Sequence, residues 1–165
     1  PGVTSQIQVR VLSMYDLDDL YQDVVLDHSR RPRNFRRVED ADRTQEGYNP
    51  LCGDQIKVYL AFDGEVISDI GFEGAGCAIS KASASMMTES VKGKSIEKAQ
   101  EIFESFRAMI TMDKNVEIDR DELGDLEILE GVSAYPTRIK CATLSWHAMH
   151  AALADDEGTV STEAS

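Results

Sequence analysis

The segment of residues 56–72, which reads IKVYLAFDGEVISDIGF, constrains the fold most, because it predicts a β-hairpin. Apolar side chains occupy every second position of its first half, and this period of two is typical of a half-buried strand. Asp63-Gly64 is a favoured hairpin turn, and the second half of the segment supplies the returning strand. Three glycines between residues 71 and 76 indicate that this strand does not continue.

Helical patterns lie on both sides of the hairpin. Residues 16–31 predict an amphipathic helix that stops before Pro32, and residues 34–46 follow as a polar connection. Residues 78–93 are rich in small side chains and predict a closely packed helix with Gly93 as its C-cap.

The second half of the chain predicts further helices. Ser95 is expected to cap a helix whose apolar positions run from residue 99 to residue 110, and a short helix is expected around residues 123–129. A buried last helix starts at Pro136 and Thr137. This order of elements predicts an α+β fold, in which helices pack on one face of a small antiparallel sheet.

The length of 165 residues and the hydrophobic content of 42% fit a single domain. We expect this domain to span residues 14–154. Residues 1–13 begin with proline and lack a clear period, so we expect a flexible N-terminal extension. The polar residues 155–165 are expected to form a disordered tail.

Charge and apolar run lengths exclude some classes of partner. A net charge of -13 argues against nucleic acid and anionic membranes, since phosphate groups attract basic surfaces. The apolar runs are too short to span a bilayer. Three cysteines cannot all form disulfides within one chain, and we expect a reducing, cytoplasmic location. A protein partner with a basic face fits this charge best.

All three cysteines are placed at junctions between predicted elements. Cys52 lies in a turn before a strand, Cys77 at a helix start, and Cys141 in the first turn of the last helix. A helix start favours the thiolate, which is the form that binds metal or attacks sulfur. Inert core thiols, metal ligands and catalytic thiols all remain open at this point, because buried free cysteine is common.

Asp54 lies in the same turn as Cys52 and offers a further donor. If the three cysteines converge, Asp54 would complete a tetrahedral set of three sulfurs and one oxygen, which zinc accepts. The alternative for Asp54 is a turn former that binds its own backbone. Arg138 and Lys140 are the nearest cations in sequence to Cys141. The three histidines lack ligand-spaced partners, and we expect them to be surface or packing residues: His28, His147 and His150.

Three motifs resemble those of a known family. LCGD at residues 51–54, GAGCAIS at 74–80 and RIKCATLSW at 138–146 resemble the cysteine motifs of iron–sulfur assembly proteins related to the scaffold IscU. The scaffold type carries histidine before the third cysteine, where this chain has Lys140. Residues 111–131 look like the insertion of the SufU type. Both features favour the SufU branch.

The resemblance implies an IscU-like fold, of the SufE/NifU-like kind, and a zinc ion held by Cys52, Asp54, Cys77 and Cys141. It also implies a sulfurtransferase-like activity, in which persulfide sulfur is accepted from a SufS-type cysteine desulfurase and relayed to the SufB-containing SUF complex. In this family a histidine of the desulfurase is thought to displace one zinc ligand.

Cys52 is our predicted sulfur acceptor because its turn is the most mobile of the three settings, and Cys141 is the second candidate. Arg138 is expected to steady the anionic site or the freed thiolate. Two alternatives remain: a scaffold on which a [2Fe–2S] cluster is built by the same four ligands, and a structural zinc module that binds partners without chemistry.

Overall fold

The computed structural model describes residues 23–155 and 159–162, in which four strands form one sheet. The strands are β1 (Arg43–Asn49), β2 (Asp54–Asp63), β3 (Val66–Ala75) and β4 (Thr159–Ser161). Their order across the sheet is β3, β2, β1, β4. The first three strands pair antiparallel, whereas β4 runs parallel to β1.

The helices cover this sheet and supply much of the core. They are α1 (residues 23–30), α2 (Ala78–Val91), α3 (Ile96–Thr111), α4 (Arg120–Leu123), a 3-10 helix (Gly124–Ala134) and α5 (Pro136–Leu153). α5 lies along β1 and β2, and α2 packs between α5 and β3. The predicted α+β single-domain fold is confirmed, but the sheet is mixed rather than purely antiparallel, because β4 pairs parallel with β1. None of the helices in the described part of the chain is long and apolar enough to span a bilayer.

The predicted hairpin forms, with its turn one residue later than expected. Asp63 pairs with Val66, so Gly64 and Glu65 make the connection, and Gly64 has a φ of 63°. That positive φ suits glycine, which lacks a Cβ. The alternating residues of β2 become core, and Val58 and Leu60 are fully buried.

The prediction that the glycines end the returning strand was wrong, since β3 runs to Ala75. A Cβ on Gly74 would lie 2.0 Å from the carbonyl oxygen of Gln55, and Gly74 has a φ of 143°. These glycines therefore permit a close approach between neighbouring backbones rather than interrupting the pairing.

Two further strands lie where the sequence predicted none. β1 begins within the predicted polar connection; its buried positions are Gln45, Gly47 and Asn49, so no apolar alternation marks it. β4 falls inside residues 155–165, and the prediction of disorder is wrong for Thr159–Ser161. The predicted extension of residues 1–13 and the first part of the predicted helix 16–31 lie outside the described residues.

The helix ends follow the predicted caps with small differences. Ser95 caps α3, because its Oγ accepts a hydrogen bond from the Lys98 amide. Lys92, rather than Gly93, is the C-cap of α2, and Gly93 follows it with a φ of 82°. The short helix expected near residues 123–129 is the junction of α4 with the 3-10 helix. Helix α5 begins at Pro136 as predicted.

Candidate metal centre

Three elements bring the predicted ligands to one end of the sheet. The β1–β2 connection carries Cys52, and strand pairing places Asp54 opposite Asn49. Cys77 is the N-cap of α2. Cys141 is the sixth residue of α5, so it lies in the second turn of this helix and not in the first turn, as was predicted.

Donor atoms of Cys52, Asp54 and Cys141 lie within 4.8 Å of one another. The two sulfur atoms are 3.4 Å apart. Zinc–sulfur bonds of about 2.3 Å in a tetrahedron would separate two sulfurs by about 3.8 Å, so this spacing is close to a zinc site. Cys52 is exposed, whereas Asp54 and Cys141 are fully buried. The cluster therefore has one ligand at the surface and two inside.

Cys77 borders this cluster without belonging to the group within 4.8 Å. Its backbone amide donates to Asp54 Oδ1 at 2.9 Å. Its Sγ accepts from the Ser80 amide at 3.4 Å, as an N-cap side chain does. The backbone of Cys77 thus fixes the carboxylate, while its sulfur faces the amides that open α2.

Cys77 and Cys141 share a hydrogen bond that separates their pKa values. Donation from Cys141, together with the amides of Ser80 and Ile79, lowers the pKa of Cys77 to about 6, although burial and the charge of Asp54 act in the opposite direction. The same bond raises the pKa of Cys141 far above its ordinary value, and burial adds to the rise. Without metal, the pair loses its first proton from Cys77.

These shifts predict how the stability of the metal-free protein varies with pH. An unfolded thiol has a pKa of about 8.5. The lowered pKa of Cys77 adds stability that is lost as the pH falls from about 8.5 toward 6, and the raised pKa of Cys141 adds stability that is lost above about 8.5.

We therefore expect the free energy of unfolding, measured by urea unfolding with chelator and reductant present, to have a local maximum near the ordinary thiol pKa of about 8.5. The Cys77→Ser variant is the control, and its free energy of unfolding should fall less steeply than that of the wild type as the pH decreases below this maximum. An equal slope in both proteins would show that Cys77 is not the titrating group.

Two basic residues lie on the same helix as Cys141. Arg138 is exposed, and its pKa is raised by a side-chain hydrogen bond with Cys141 and by the negative charge of Cys77. This places the guanidinium where it offsets negative charge on the thiolates. Lys140 is half-buried beside it.

Gly76 allows the Asp54 carboxylate to reach its position. A Cβ at residue 76 would lie 2.6 Å from Asp54 Oδ1, which is closer than real Cβ contacts. We expect Gly76→Ala to displace the carboxylate and to lower zinc affinity by about 10-fold or more, the effect typical of disturbing a ligand's surroundings. Competition with a chromophoric chelator measures this change. Gly64→Ala, in the hairpin turn, is the control: nothing lies within 4 Å of its added Cβ, and its φ of 63° makes it a strained substitution outside the site. Equal zinc affinity of Gly76→Ala and the wild type would show that the Asp54 carboxylate does not need a glycine at residue 76.

The histidines lie away from the donor cluster. His28 is buried and bonds Ser85 Oγ through Nδ1 at 2.7 Å. His150 stacks on Phe103 with ring centroids 4.6 Å apart, and His147 meets the same ring edge-on. Among the described residues, no histidine joins the candidate metal group.

Sequence reasoning missed Asn49, a fully buried residue of the site. Its Nδ2 atom lies 3.1 Å from Asp54 Oδ2 and 3.5 Å from Cys141 Sγ. The available signal was its position three residues before Cys52, in a turn that already contained two candidate ligands.

Comparison with protein families gives one match that covers most of the chain. Residues 20–142 match a family described as the NifU-like N-terminal domain. These residues include Cys52, Asp54, Cys77 and Cys141.

Relatives of the chain carry names from iron–sulfur cluster assembly. The zinc-dependent sulfurtransferase SufU of Bacillus subtilis is 46% identical over 87% of this chain and 95% of that protein. The iron–sulfur cluster assembly scaffold protein IscU of Streptococcus pyogenes is 42% identical over 86% of this chain and 87% of that protein.

A solved structure agrees in fold. A Fervidobacterium islandicum protein, described as an iron–sulfur cluster assembly scaffold for the SUF system, superposes with a TM-score of 0.74. It shares 36% identity and covers 79% of this chain and 93% of its own.

Proposed function

Because the chain belongs to the NifU-like N-terminal domain family of iron–sulfur cluster assembly proteins, we propose that it is a zinc-dependent sulfurtransferase of the SufU type. In this proposal it accepts persulfide sulfur from a SufS-type cysteine desulfurase and relays it to a SufB-containing complex. The relative with the proposed activity in its name aligns over 87% of the chain.

The observation that carries the proposal is the cluster of Cys52, Asp54 and Cys141, with donor atoms within 4.8 Å of one another. Two thiolates and a carboxylate suit zinc, and Cys77 on the adjacent helix start would be the fourth ligand. An exposed Cys52 beside two buried ligands supports a site that a partner can reach. A purely structural zinc site also has four protein ligands, but it does not require that one of the thiols be exposed to a partner, as Cys52 is.

Zinc, when bound, would keep the cysteines as thiolates without adding redox chemistry. The Cys52 thiolate attacks the outer sulfur of the desulfurase persulfide. A new sulfur–sulfur bond forms on Cys52, the old one breaks, and the desulfurase thiolate leaves with the electron pair. Charge is conserved, and no oxidant or reductant is needed.

Arg138 would stabilise this anionic chemistry. Its hydrogen bond with Cys141 and the charge of Cys77 favour a guanidinium at the thiolates. We propose that Arg138 stabilises the negative charge of the site and of the Cys52 thiolate during sulfur transfer. Cys141, 3.4 Å from Cys52, is the second candidate for the sulfur acceptor.

Exposed apolar side chains beside the site suit docking of a protein partner. Leu51, next to Cys52, is 58% exposed, and Tyr135, just before α5, is 64% exposed. Aromatic side chains such as Tyr135 are enriched at protein interfaces. We propose that the desulfurase covers them. The cytoplasmic location stays a prediction.

The test is the turnover of a SufS-type cysteine desulfurase with cysteine and a thiol reductant. We expect zinc-loaded protein to raise alanine production in a saturable way, because Cys52 removes sulfur from the desulfurase. The same protein with its zinc chelated is the control, and its stimulation should be far smaller. Turnover that is independent of this protein would contradict the proposal.

The second candidate function is a scaffold for a [2Fe–2S] cluster, favoured by the 42% identity to the protein named IscU. The same four residues would hold the cluster irons. Lys140 stands where the scaffold type carries histidine, which argues for the sulfurtransferase. Anaerobic reconstitution with iron and sulfide distinguishes them, since a stable cluster that passes to an apo-protein would favour the scaffold.

A further inference from the structure

The side-chain amide of Asn49 is buried and uses all of its hydrogen-bonding groups. Nδ2 donates to Asp54 Oδ2 and Cys141 Sγ, at 3.1 and 3.5 Å. Oδ1 accepts from the Leu51 amide and from Thr162 Oγ1, at 3.3 and 3.0 Å. Only this orientation works, because a carboxylate oxygen accepts and a backbone N–H donates. The amide therefore has one allowed position between two candidate ligands.

The register of the sheet brings Thr162 to this amide. β4 runs parallel to β1, and Tyr48 pairs with Ser161. Asn49 follows Tyr48 and Thr162 follows Ser161, so these two residues are also aligned. Aligned residues of neighbouring strands lie on the same face of the sheet. Thr162 is only 2% exposed. A residue near the C-terminus thus lies directly behind the candidate ligands.

The contacts of Asn49 match the needs of a metal site. Asp54 and Cys141 both carry negative charge when they bind a cation, and the neutral amide gives each of them one N–H donor. Partners that hydrogen-bond to metal ligands fix the ligand orientation, and their loss typically lowers metal affinity about 10–100-fold. Thr162 does not contact the candidate ligands through this bond; its hydroxyl donates to the oxygen of the Asn49 amide and so holds that amide in place.

We propose that Asn49 is a positioning residue of the metal site and that Thr162 holds it in place, so that the C-terminal strand β4 is part of this site. This inference rests on the metal site of the proposed function. It adds that two residues outside the three cysteine motifs, Asn49 before the first motif and Thr162 after the third, set how tightly that site binds zinc.

The test compares variants of the full-length protein for zinc affinity by chelator competition and for the absorption bands of the Co²⁺-loaded site, which report thiolate ligation. We expect Asn49→Leu to lower zinc affinity about 10–100-fold and Thr162→Val to lower it about 10-fold. Both should alter the Co²⁺ bands. Thr162→Ser keeps the hydroxyl and should restore the wild-type values.

Thr111→Val is the matched control, since it also removes one hydroxyl hydrogen bond, to the Arg107 carbonyl on α3, outside the site. We expect no change in affinity or Co²⁺ bands. Thr162→Val with wild-type affinity and spectrum would overturn the proposal, even if Asn49→Leu failed to fold. If the wild-type protein bound no zinc, the proposed function itself would fall; equal binding by wild type and all variants would refute only the positioning role.

Discussion

Replacing Cys52 with serine is expected to abolish sulfur acceptance from a cysteine desulfurase. The hydroxyl is not ionised at neutral pH and cannot form the persulfide, so the attacking group and the sulfur carrier are both lost. The measurement is intact-protein mass spectrometry after incubation with the desulfurase and cysteine, which detects an added sulfur atom. Desulfurase stimulation should fall to the background rate in the same samples.

Cys77→Ser is the matched control for this experiment. It makes the same chemical change and also removes one candidate zinc ligand, but it leaves Cys52 in place. Cys77→Ser protein without metal should still take up sulfur from a small-molecule persulfide, and mass spectrometry should find that sulfur on the peptide that contains Cys52. Sulfur found on Cys141 in the Cys52→Ser protein would transfer the acceptor role to Cys141, which lies 3.4 Å away.

Zinc is expected to stabilise the fold strongly, because its ligands come from separate elements. A ligand that binds only the folded state at about 1,000 times its dissociation constant adds about 4 kcal/mol to the free energy of unfolding. For a domain of this size that corresponds to a rise in melting temperature of about 8–16 °C. Thermal unfolding with zinc and with chelator measures the difference.

Asp54→Ala and Asp63→Ala form a matched pair for this prediction. Both remove one carboxylate, but Asp54 is fully buried at the candidate site, whereas Asp63 is exposed at the end of β2. We expect zinc to raise the melting temperature of Asp63→Ala as much as that of the wild type, and to raise that of Asp54→Ala much less. Equal effects of zinc on the two variants would remove Asp54 from the ligand set.

The elements that the sequence predicted are those with a strong apolar period or a clear cap. The hairpin of β2 and β3 has alternating apolar residues, and Ser95 has the side chain that caps α3. Strand β1 was not predictable in this way because its buried positions are Gln45, Gly47 and Asn49. Their burial depends on α5 and β4, which are distant in the sequence.

Three of the four predicted metal ligands lie together in the structure, whereas the residues that support them were not predicted. Cys52, Asp54 and Cys141 came from motifs, and the structure brings their donor atoms together. Asn49 carries no charge and no sulfur, so only the fold shows that it touches both Asp54 and Cys141. The glycines near Cys77 were predicted to break a strand, whereas Gly76 leaves the space that Asp54 Oδ1 occupies.

Transfer of sulfur to zinc-loaded protein tests the central claim most directly. The protein is incubated with a SufS-type desulfurase and cysteine, the persulfide is trapped by alkylation, and the modified peptide is identified by mass spectrometry. The account predicts one trapped sulfur on the peptide that contains Cys52. Absence of any added sulfur, together with a stable [2Fe–2S] cluster after anaerobic reconstitution, would contradict it.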